Sequence, residues 1–421
     1  MRILLLGAGG FIGRHIEAEL LRHGHGVSAV VRRSDGREVR HIAIDLATAR
    51  DEAVWRPHLA GVDIVINAAG VLSGPDMDAV HVDAPRALYA ACAAAGVKRV
   101  VLISAISARP DVDTDYSRSK LRGEETLKAS PVAWTILRPS LVYGDGSYGG
   151  TSLLRGMAGL PWFVPVPGDG GFAFSPIHVR DLARAVRLAC EESRFAGQVL
   201  EPSGPETLAL RDLLARYRHW LGFGHARFRS VPMPMMHVLG RLGDLFGAGP
   251  IASNSVRQMI AGNVGDGAAF AAVIGFQPRS LDSALRDRPA QVQDRWHARL
   301  FFLAPLATAV LLALWLVSAL LGLLYGAAET RAAVQGLGMP EAWARPLQIA
   351  GSLIDLGLAV LLLADRRARW STLAQLLVVL GYTAVIGIAL PRLWLDPLGP
   401  LMKNVPILVL ILMRGAIAVR R

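Results

Sequence analysis

Residues 2–13 read RILLLGAGGFIG: five strand-forming residues, a glycine-rich turn, then apolar residues at helical spacing. Turning a strand into a helix over so few residues needs a first glycine, Gly7, free of side-chain constraint. Gly10 lets the backbone approach a bound pyrophosphate, and Gly13 lets the helix pack on the strand. The helix that starts here aims its free N–H groups and the positive end of its dipole at the same spot. With a strand before and a helix after, the glycine pattern implies a dinucleotide site. Its expected contacts are Gly7, Gly10, Phe11, Ile12 and Gly13.

Outward from this turn, short β-branched or Leu-rich runs recur at 26–31, 41–44, 62–67, 99–104 and 133–138. Helical spacing occupies 11–23 and 84–95, with Gly24 and Gly96 as C-terminal stops. Strands alternating with helices predict an α/β fold, a Rossmann-type doubly wound parallel sheet. From residue 141 the pattern loosens into Gly/Pro-rich loops and isolated helices, including 179–192 and 210–221, a region suited to form the second wall of a ligand crevice.

The ends of the strands refine the ligand. After the second strand the chain reads Val30, Val31, Arg32, Arg33 where an NAD site would carry an acidic residue. Two guanidinium groups suit a 2′-phosphate, so NADP is favoured over NAD. Asp45 and Leu46 follow the third strand, within reach of an adenine. Asn67, Ala68, Ala69 and Gly70 end the fourth, where small side chains let a cofactor lie close. Tyr116 and Lys120 lie four apart, on one face of a helix. A tyrosine hydroxyl ordinarily titrates near 10, and a neighbouring ammonium favours its phenolate. Ser104, at the end of the fifth strand, or Ser107 would hydrogen-bond a substrate oxygen.

Composition divides the chain of 421 residues unevenly. Residues 300–421 hold 10 Lys/Arg and 5 Asp/Glu, against 35 and 29 in the first 299. The stretch 300–328 has no charge, enough to span a bilayer core of about 30 Å. Further candidate spans are 346–364, 370–391 and a weaker one at 401–419. Connector arginines, among them Arg366, Arg367 and Arg369, together with Arg420 and Arg421, place the globular domain and the C-terminus in the cytoplasm if four spans cross an inner membrane. The resulting division is a nucleotide-binding domain over 1–285, a charged linker over 286–299 and a transmembrane bundle over 300–421. The net charge of +11 is scattered, with no basic stripe interleaved with aromatics, so no nucleic-acid partner is expected. Cys92 and Cys190 lack metal-ligand spacing and read as buried apolar side chains. The apolar start of the chain is too short for a signal peptide.

GAGGFIG, NAAG, LISAIS, YSRSK and RPSLVYG, in this order, resemble the extended or atypical short-chain dehydrogenase/reductase superfamily. The likeness covers about residues 1–285 and is closest to its NAD-dependent epimerase/dehydratase and NmrA-like branches. The short serine-to-tyrosine interval is similar to the group that includes the 39-kDa NADH-dehydrogenase accessory subunit. The resemblance implies Tyr116 as acid–base, Lys120 as its partner and Ser104 or Ser107 as the third member. It also implies that Arg138, Pro139 and Ser140, with Tyr143 and Gly144, close over the nicotinamide. LISAIS departs from the pattern by lacking the double serine of extended enzymes. PIHVRD, at 176–181, is similar to a stretch before a late helix, which gives His178 a packing role at the helix start and Asp181 a place in its first turn.

The tail resembles DoxX-like membrane domains. Within it Asp355 sits midway along a span, where a carboxylate is costly; an ion pair with Arg414 and a place on a quinone or proton path are the two readings. Trp343, Trp370 and Trp394 lie near span ends as interfacial anchors, and Trp315 lies within the first span. Together these features imply a membrane-anchored, NADP-preferring oxidoreductase acting on a lipophilic carbonyl or alcohol. A nucleotide-binding scaffold and a sugar-nucleotide-type epimerase/dehydratase are the alternatives.

Overall fold

Arg2–Leu6 (β1) runs through the middle of a sheet, and side-chain alternation along it divides the core. The structure is a computed structural model that describes residues 1–32, 41–146, 148–245, 253–365, 367–397 and 399–418. The second expected arginine after β2, Arg33, lies outside the described residues, as do Arg366, Arg420 and Arg421 of the topology argument. The sheet continues with Gly26–Val31 (β2), His41–Ala43 (β3), Ile64–Asn67 (β4), Arg99–Ile103 (β5) and Trp134–Leu137 (β6). A seventh strand, Gln198–Leu200, joins β6 at the edge; too short and exposed to announce itself, it was not read from the sequence. All pairings are parallel, and the order is Gln198–Leu200, β6, β5, β4, β1, β2, β3.

Ile3 and Leu5 of β1 face the helices Phe11–Arg22 (α1) and Val179–Glu191, whose Ile16, Leu20, Leu182 and Val186 fill that layer. Leu4 and Leu6 face Glu52–Leu59 (α2) and Ala84–Ala94 (α3), with Trp55, Leu59, Leu88 and Cys92. The strands are buried on both faces, so they read as continuous apolar runs. Gly24 and Gly96 end α1 and α3 in the left-handed region (φ 76° and 71°). Strand β1 and α1 meet at the quoted turn, which places the glycines at the carboxyl edge of the sheet, at the reversal of strand order between β1 and β4.

The chain divides into two compact units, Met1–Ala298 and Arg299–Arg421. Helix occupies Leu281–Asp287 and resumes at Val292, so most of the stretch expected as a charged linker is helical. In the second unit, Val292–Tyr325, Glu341–Ala364 and Arg369–Ala389 are long and apolar enough to cross a membrane. Where the fourth span is expected, Asn404–Ile417 is an apolar helix of 14 residues, about 21 Å at 1.5 Å per residue, shorter than the other three. Its apolar run is cut short because Lys403 and Arg414 bracket it.

The pairing of Asp355 with Arg414 is corrected. Asp355 accepts from Ser318 Oγ (2.5 Å) and Tyr382 Oη (3.2 Å). Arg414 instead donates to Ser371 Oγ (2.8 Å) and to the Leu362 carbonyl (3.3 Å). Trp315 is buried and donates to Gln375 Oε1 (2.8 Å), while Trp343, Trp370 and Trp394 are exposed near helix ends.

Candidate functional site

The glycine turn is built so that no side chain can enter it. Gly7 has φ 76°, and a Cβ there would lie 2.8 Å from the Ala68–Ala69 peptide after β4. A Cβ on Gly13 would lie 2.1 Å from the Gly7 carbonyl oxygen, so α1 rests directly on the turn. Gly10 is the N-cap of α1 and makes no side-chain cap, and the first turn carries no acidic residue. By contrast α2 is capped by Asp51 and the helix Asp115–Lys128 (α4) by Thr114. The N-terminus of α1 therefore keeps its N–H donors and dipole for an anion, in a cradle that a Cβ would fill. These residues fit a dinucleotide pyrophosphate. Phe11 is buried against Gly144 and Gly146, which fixes the start of α1, and Ile12 packs against the core.

The other expected contacts fall around the same edge. Arg32 is exposed directly after β2. Asp45 uses its carboxylate on its own turn, accepting from Ala47 N at 3.1 Å, and Leu46 is half-buried beside it. Asn67 is buried, with Nδ2 donating to Tyr89 Oη (3.2 Å) and Oδ1 accepting from Ala69 N (3.2 Å); its side chain shapes the turn. Ala68, Ala69 and Gly70 continue that turn. A Cβ on Gly70 would stand 3.1 Å from Lys120 Nζ and 3.3 Å from His81 Nε2, so this backbone touches the basic groups directly.

Helix α4 brings Tyr116 and Lys120 together as the four-residue spacing requires. Lys120 is buried; Nζ donates to the Ile103 carbonyl at the end of β5 (3.2 Å) and lies 6.0 Å from the Tyr116 ring centre. Burial lowers the ammonium to about 8, against a smaller opposite pull from Glu124. The Tyr116 hydroxyl departs from the sequence expectation. Burial pushes it up to about 12. At neutral pH Tyr116 is thus a proton donor in waiting.

Three residues that the sequence did not single out complete the cluster. His81 lies in a short π-helix, Ala79–Asp83, a rare distortion frequent at functional sites. Its Nε2 accepts from Val71 N (3.1 Å), which leaves Nδ1–H to face Ser119 Oγ (3.0 Å). The ring stands edge-on to Tyr116 at 5.9 Å. Burial, helped by the Lys120 charge, depresses His81 to about 2. Gly123 admits the π-helix, since a Cβ there would lie 2.5 Å from the His81 carbonyl oxygen. Glu124 is fully buried, clamped by Arg138 at 2.8 and 2.6 Å, and accepts from Ser104 Oγ at 2.6 Å. Glu124 was findable, being one turn beyond Lys120 on the same face; a single histidine in an apolar helix gave no such signal.

Ser104 is therefore committed to Glu124, and Ser107 stands buried in the loop after β5. Ser140 donates to the Ser175 carbonyl, and the Pro139 carbonyl accepts from Ile106 N (3.0 Å), so both tie the loop after β6 to its neighbours. Arg138 serves Glu124. Tyr143 is buried, its hydroxyl 3.3 Å from the Ser280 carbonyl. His178 caps Val179–Glu191, accepting from Arg180 N (3.2 Å), and Asp181 holds Arg279. Substituting His81 by Ala should free the Val71 N–H and Ser119 together. We expect a loss of about 1–3 kcal/mol in thermal or denaturant unfolding, with weakened NADPH binding; unchanged affinity and stability would show that the bridge is idle.

Comparison with known proteins agrees with this geometry. Residues 7–156 match the NAD(P)H-binding family, and residues 312–412 match the DoxX-like family. The parallel sheet with its glycine turn thus coincides with a region similar to NAD(P)H-binding domains, and the apolar helices with a region similar to DoxX-like domains. Among particular relatives, it is 28% identical over 261 residues to the mouse (Mus musculus) mitochondrial NADH dehydrogenase [ubiquinone] 1 alpha subcomplex subunit 9, covering 58% of this chain and 67% of that one. It is 31% identical over 198 residues to a ceramide reductase of Caulobacter vibrioides, covering 45% of this chain and 60% of that one. In fold it is similar to a nucleoside-diphosphate-sugar epimerase of Staphylococcus aureus (TM-score 0.56, 18% identity, 68% of this chain and 100% of that one). A short-chain dehydrogenase/reductase superfamily protein of Agrobacterium tumefaciens with bound NAD gives TM-score 0.53 at 18% identity, with 72% and 98% covered.

Proposed function

We propose that this protein is a membrane-anchored, NADP-preferring oxidoreductase that reduces a lipophilic carbonyl or oxidises the matching alcohol. The observation that carries the reading is the Tyr116–Lys120–Gly70–His81 cluster at the carboxyl edge of the sheet, beside an uncapped helix N-terminus. Gly7, Gly10, Phe11, Ile12 and Gly13 would hold the pyrophosphate turn, with Asp45, Leu46, Asn67, Ala68, Ala69 and Gly70 along the adenosine and ribose, and Pro139 and Ser140 near the nicotinamide. A dihydronicotinamide held there would supply the hydride. Tyr116 would give its hydroxyl proton to the substrate's carbonyl oxygen, and its raised pKa keeps that proton in place at neutral pH. Lys120 stabilises the phenolate left behind and holds the ribose. Purified protein with NADPH should reduce members of a long-chain carbonyl panel; no turnover on any of them would overturn the reading.

NADP preference rests on Arg32 and its neighbour in sequence. Arg32→Ala should lower the ratio of NADPH to NADH affinity about tenfold or more, as expected for one charge-assisted hydrogen bond; an unchanged ratio would remove the argument. The lipophilic substrate is supported by the ceramide reductase relative and by the apolar helices of the second unit. Those helices would seat the chain in an inner membrane, with connector arginines setting a cytoplasmic N-terminal domain. A reporter fused after residue 421 reads as cytoplasmic only if Asn404–Ile417 also crosses.

One observation favours a non-catalytic NAD(P)H-binding scaffold instead: Ser104 is held by Glu124. If the protein is catalytic, Ser104→Ala should lower stability more than turnover, and Ser107→Ala should do the reverse. Turnover indifferent to both, and to Tyr116→Phe, would support the scaffold.

A further inference from the structure

The second unit keeps a carboxyl group where lipid would surround it, and its surroundings are those of a neutral acid. Asp355 is 4% exposed. From the first span helix it is faced by Ser318 and from Arg369–Ala389 by Tyr382. Among the described residues no Lys, Arg or His pairs with it. Of the bundle's other charged groups, Arg414 bonds to Ser371 and the Leu362 carbonyl, Asp365 to the Ser371 and Arg367 amides, Arg345 to Gln348, and Arg331 to Glu341. An ionised carboxylate with only hydroxyl partners is expensive in a low-dielectric medium. The neutral acid needs an acceptor for its own proton, and the geometry supplies one. Tyr382 Oη lies 3.3 Å from the Gly351 carbonyl as well as 3.2 Å from Asp355 Oδ1. When the phenol donates to the carbonyl, its lone pairs are open to the Asp355 O–H.

A hydroxyl able to pass on this proton lies on the same helix face. Gln348, Ser352 and Asp355 are spaced by four and three residues, so they line a single stripe of the second span helix. Ser352 is 8% exposed, and among the described residues its hydroxyl has no hydrogen-bond partner although it can both give and take a proton. Gly322 on the first span helix leaves it room, a Cβ there standing 3.0 Å from Ser352 Oγ. Gln348, seven residues and about 10 Å of helix from Asp355, is occupied separately: Oε1 accepts from Arg345 (2.9 Å) and Nε2 donates to the Gly322 and Leu323 carbonyls (2.8 and 3.1 Å).

We propose that Asp355 is a proton-binding site whose proton exchanges by way of the Ser352 hydroxyl one turn away. The inference rests on the membrane-anchored reading, and its test separates the two. Full-length protein reconstituted in nanodiscs is followed by infrared spectroscopy at neutral pH, after sedimentation with membranes has been established without detergent. A protonated carboxylic C=O band should be present, shift in D2O and vanish in Asp355→Asn, and Ser352→Ala should slow its deuteration several-fold. Asp355→Glu should restore a band at a shifted frequency, and an unchanged helical amide I band of each variant reports an intact bundle. A membrane-embedded protein without an Asp355-dependent acid band overturns the proton site, and deuteration indifferent to Ser352→Ala overturns the route. A protein that stays in the supernatant overturns the membrane reading itself.

Discussion

Gly13→Ala should eliminate measurable NADPH binding and destabilise the N-terminal unit by about 3 kcal/mol or more. The methyl carbon would lie 2.1 Å from the Gly7 carbonyl oxygen and 2.7 Å from its carbon, both backbone atoms. Relief would require Gly7 to retreat, but Gly7 is itself pressed on the Ala68–Ala69 peptide, where an added Cβ would find atoms at 2.8 Å. The two glycines form one stack of three backbones, and α1 cannot tilt away without leaving Ile16 and Leu20 out of the core. Gly24→Ala is the matched control. Gly24, like Gly7 but unlike the helical Gly13, sits in the left-handed region (φ 76°), and nothing lies within 4 Å of its added Cβ. It should lose only the conformational cost of about 1–2 kcal/mol and retain nucleotide affinity. Calorimetric titration with NADPH, beside denaturant unfolding, distinguishes the pair. Equal losses in both variants would mean that backbone conformation alone, and not the stacked cradle, explains the glycines.

The glycine turn was legible because its cause is local: each glycine answers a close approach within the turn or across one strand. The sheet was legible for a related reason, since strands buried on both faces leave long apolar runs that polar helices interrupt. Helical spacing set Tyr116 and Lys120 on one face, and the glycine turn and serine-bearing strand upstream singled the pair out. What stayed hidden depends on chain segments far apart in sequence. His81 acts through Val71, 10 residues away, and Ser119, 38 away. Ser104 was assigned to substrate from its place at a strand end, yet Glu124 and Arg138 capture it from two other elements. In the same way Asp355 and Arg414 looked like natural partners by charge, while hydroxyls on neighbouring helices take both. Opposite charges in one bundle say nothing of which helix faces they occupy.

Lys120→Met is expected to abolish turnover while relieving a stability cost, a combination that a purely structural lysine would not give. Lys120 is buried and its ammonium is lowered from the ordinary 10.5 to about 8, with burial the larger cause. The unfolded chain therefore binds more protons than the folded one between about 8 and 10.5. Stability rises with pH across that window and is reduced, by a constant amount, below it. Methionine, of similar length and uncharged, removes that dependence. The melting temperature of Lys120→Met relative to the parent should thus be highest at pH 7 and fall as pH climbs through the window. Activity runs the other way, because the positive charge that stabilises the Tyr116 phenolate is present below about 8 and lost above it. Turnover of the parent in the reducing direction should decline above about 8. Tyr116→Phe should cost about 10²–10⁴-fold in kcat with NADPH affinity retained, the range for one positioned acid. Lys120→Met should match that loss and also weaken NADPH. If Lys120→Met melts below the parent at pH 7, the Ile103 carbonyl contact outweighs the desolvation, and the lysine is primarily a strut between α4 and β5.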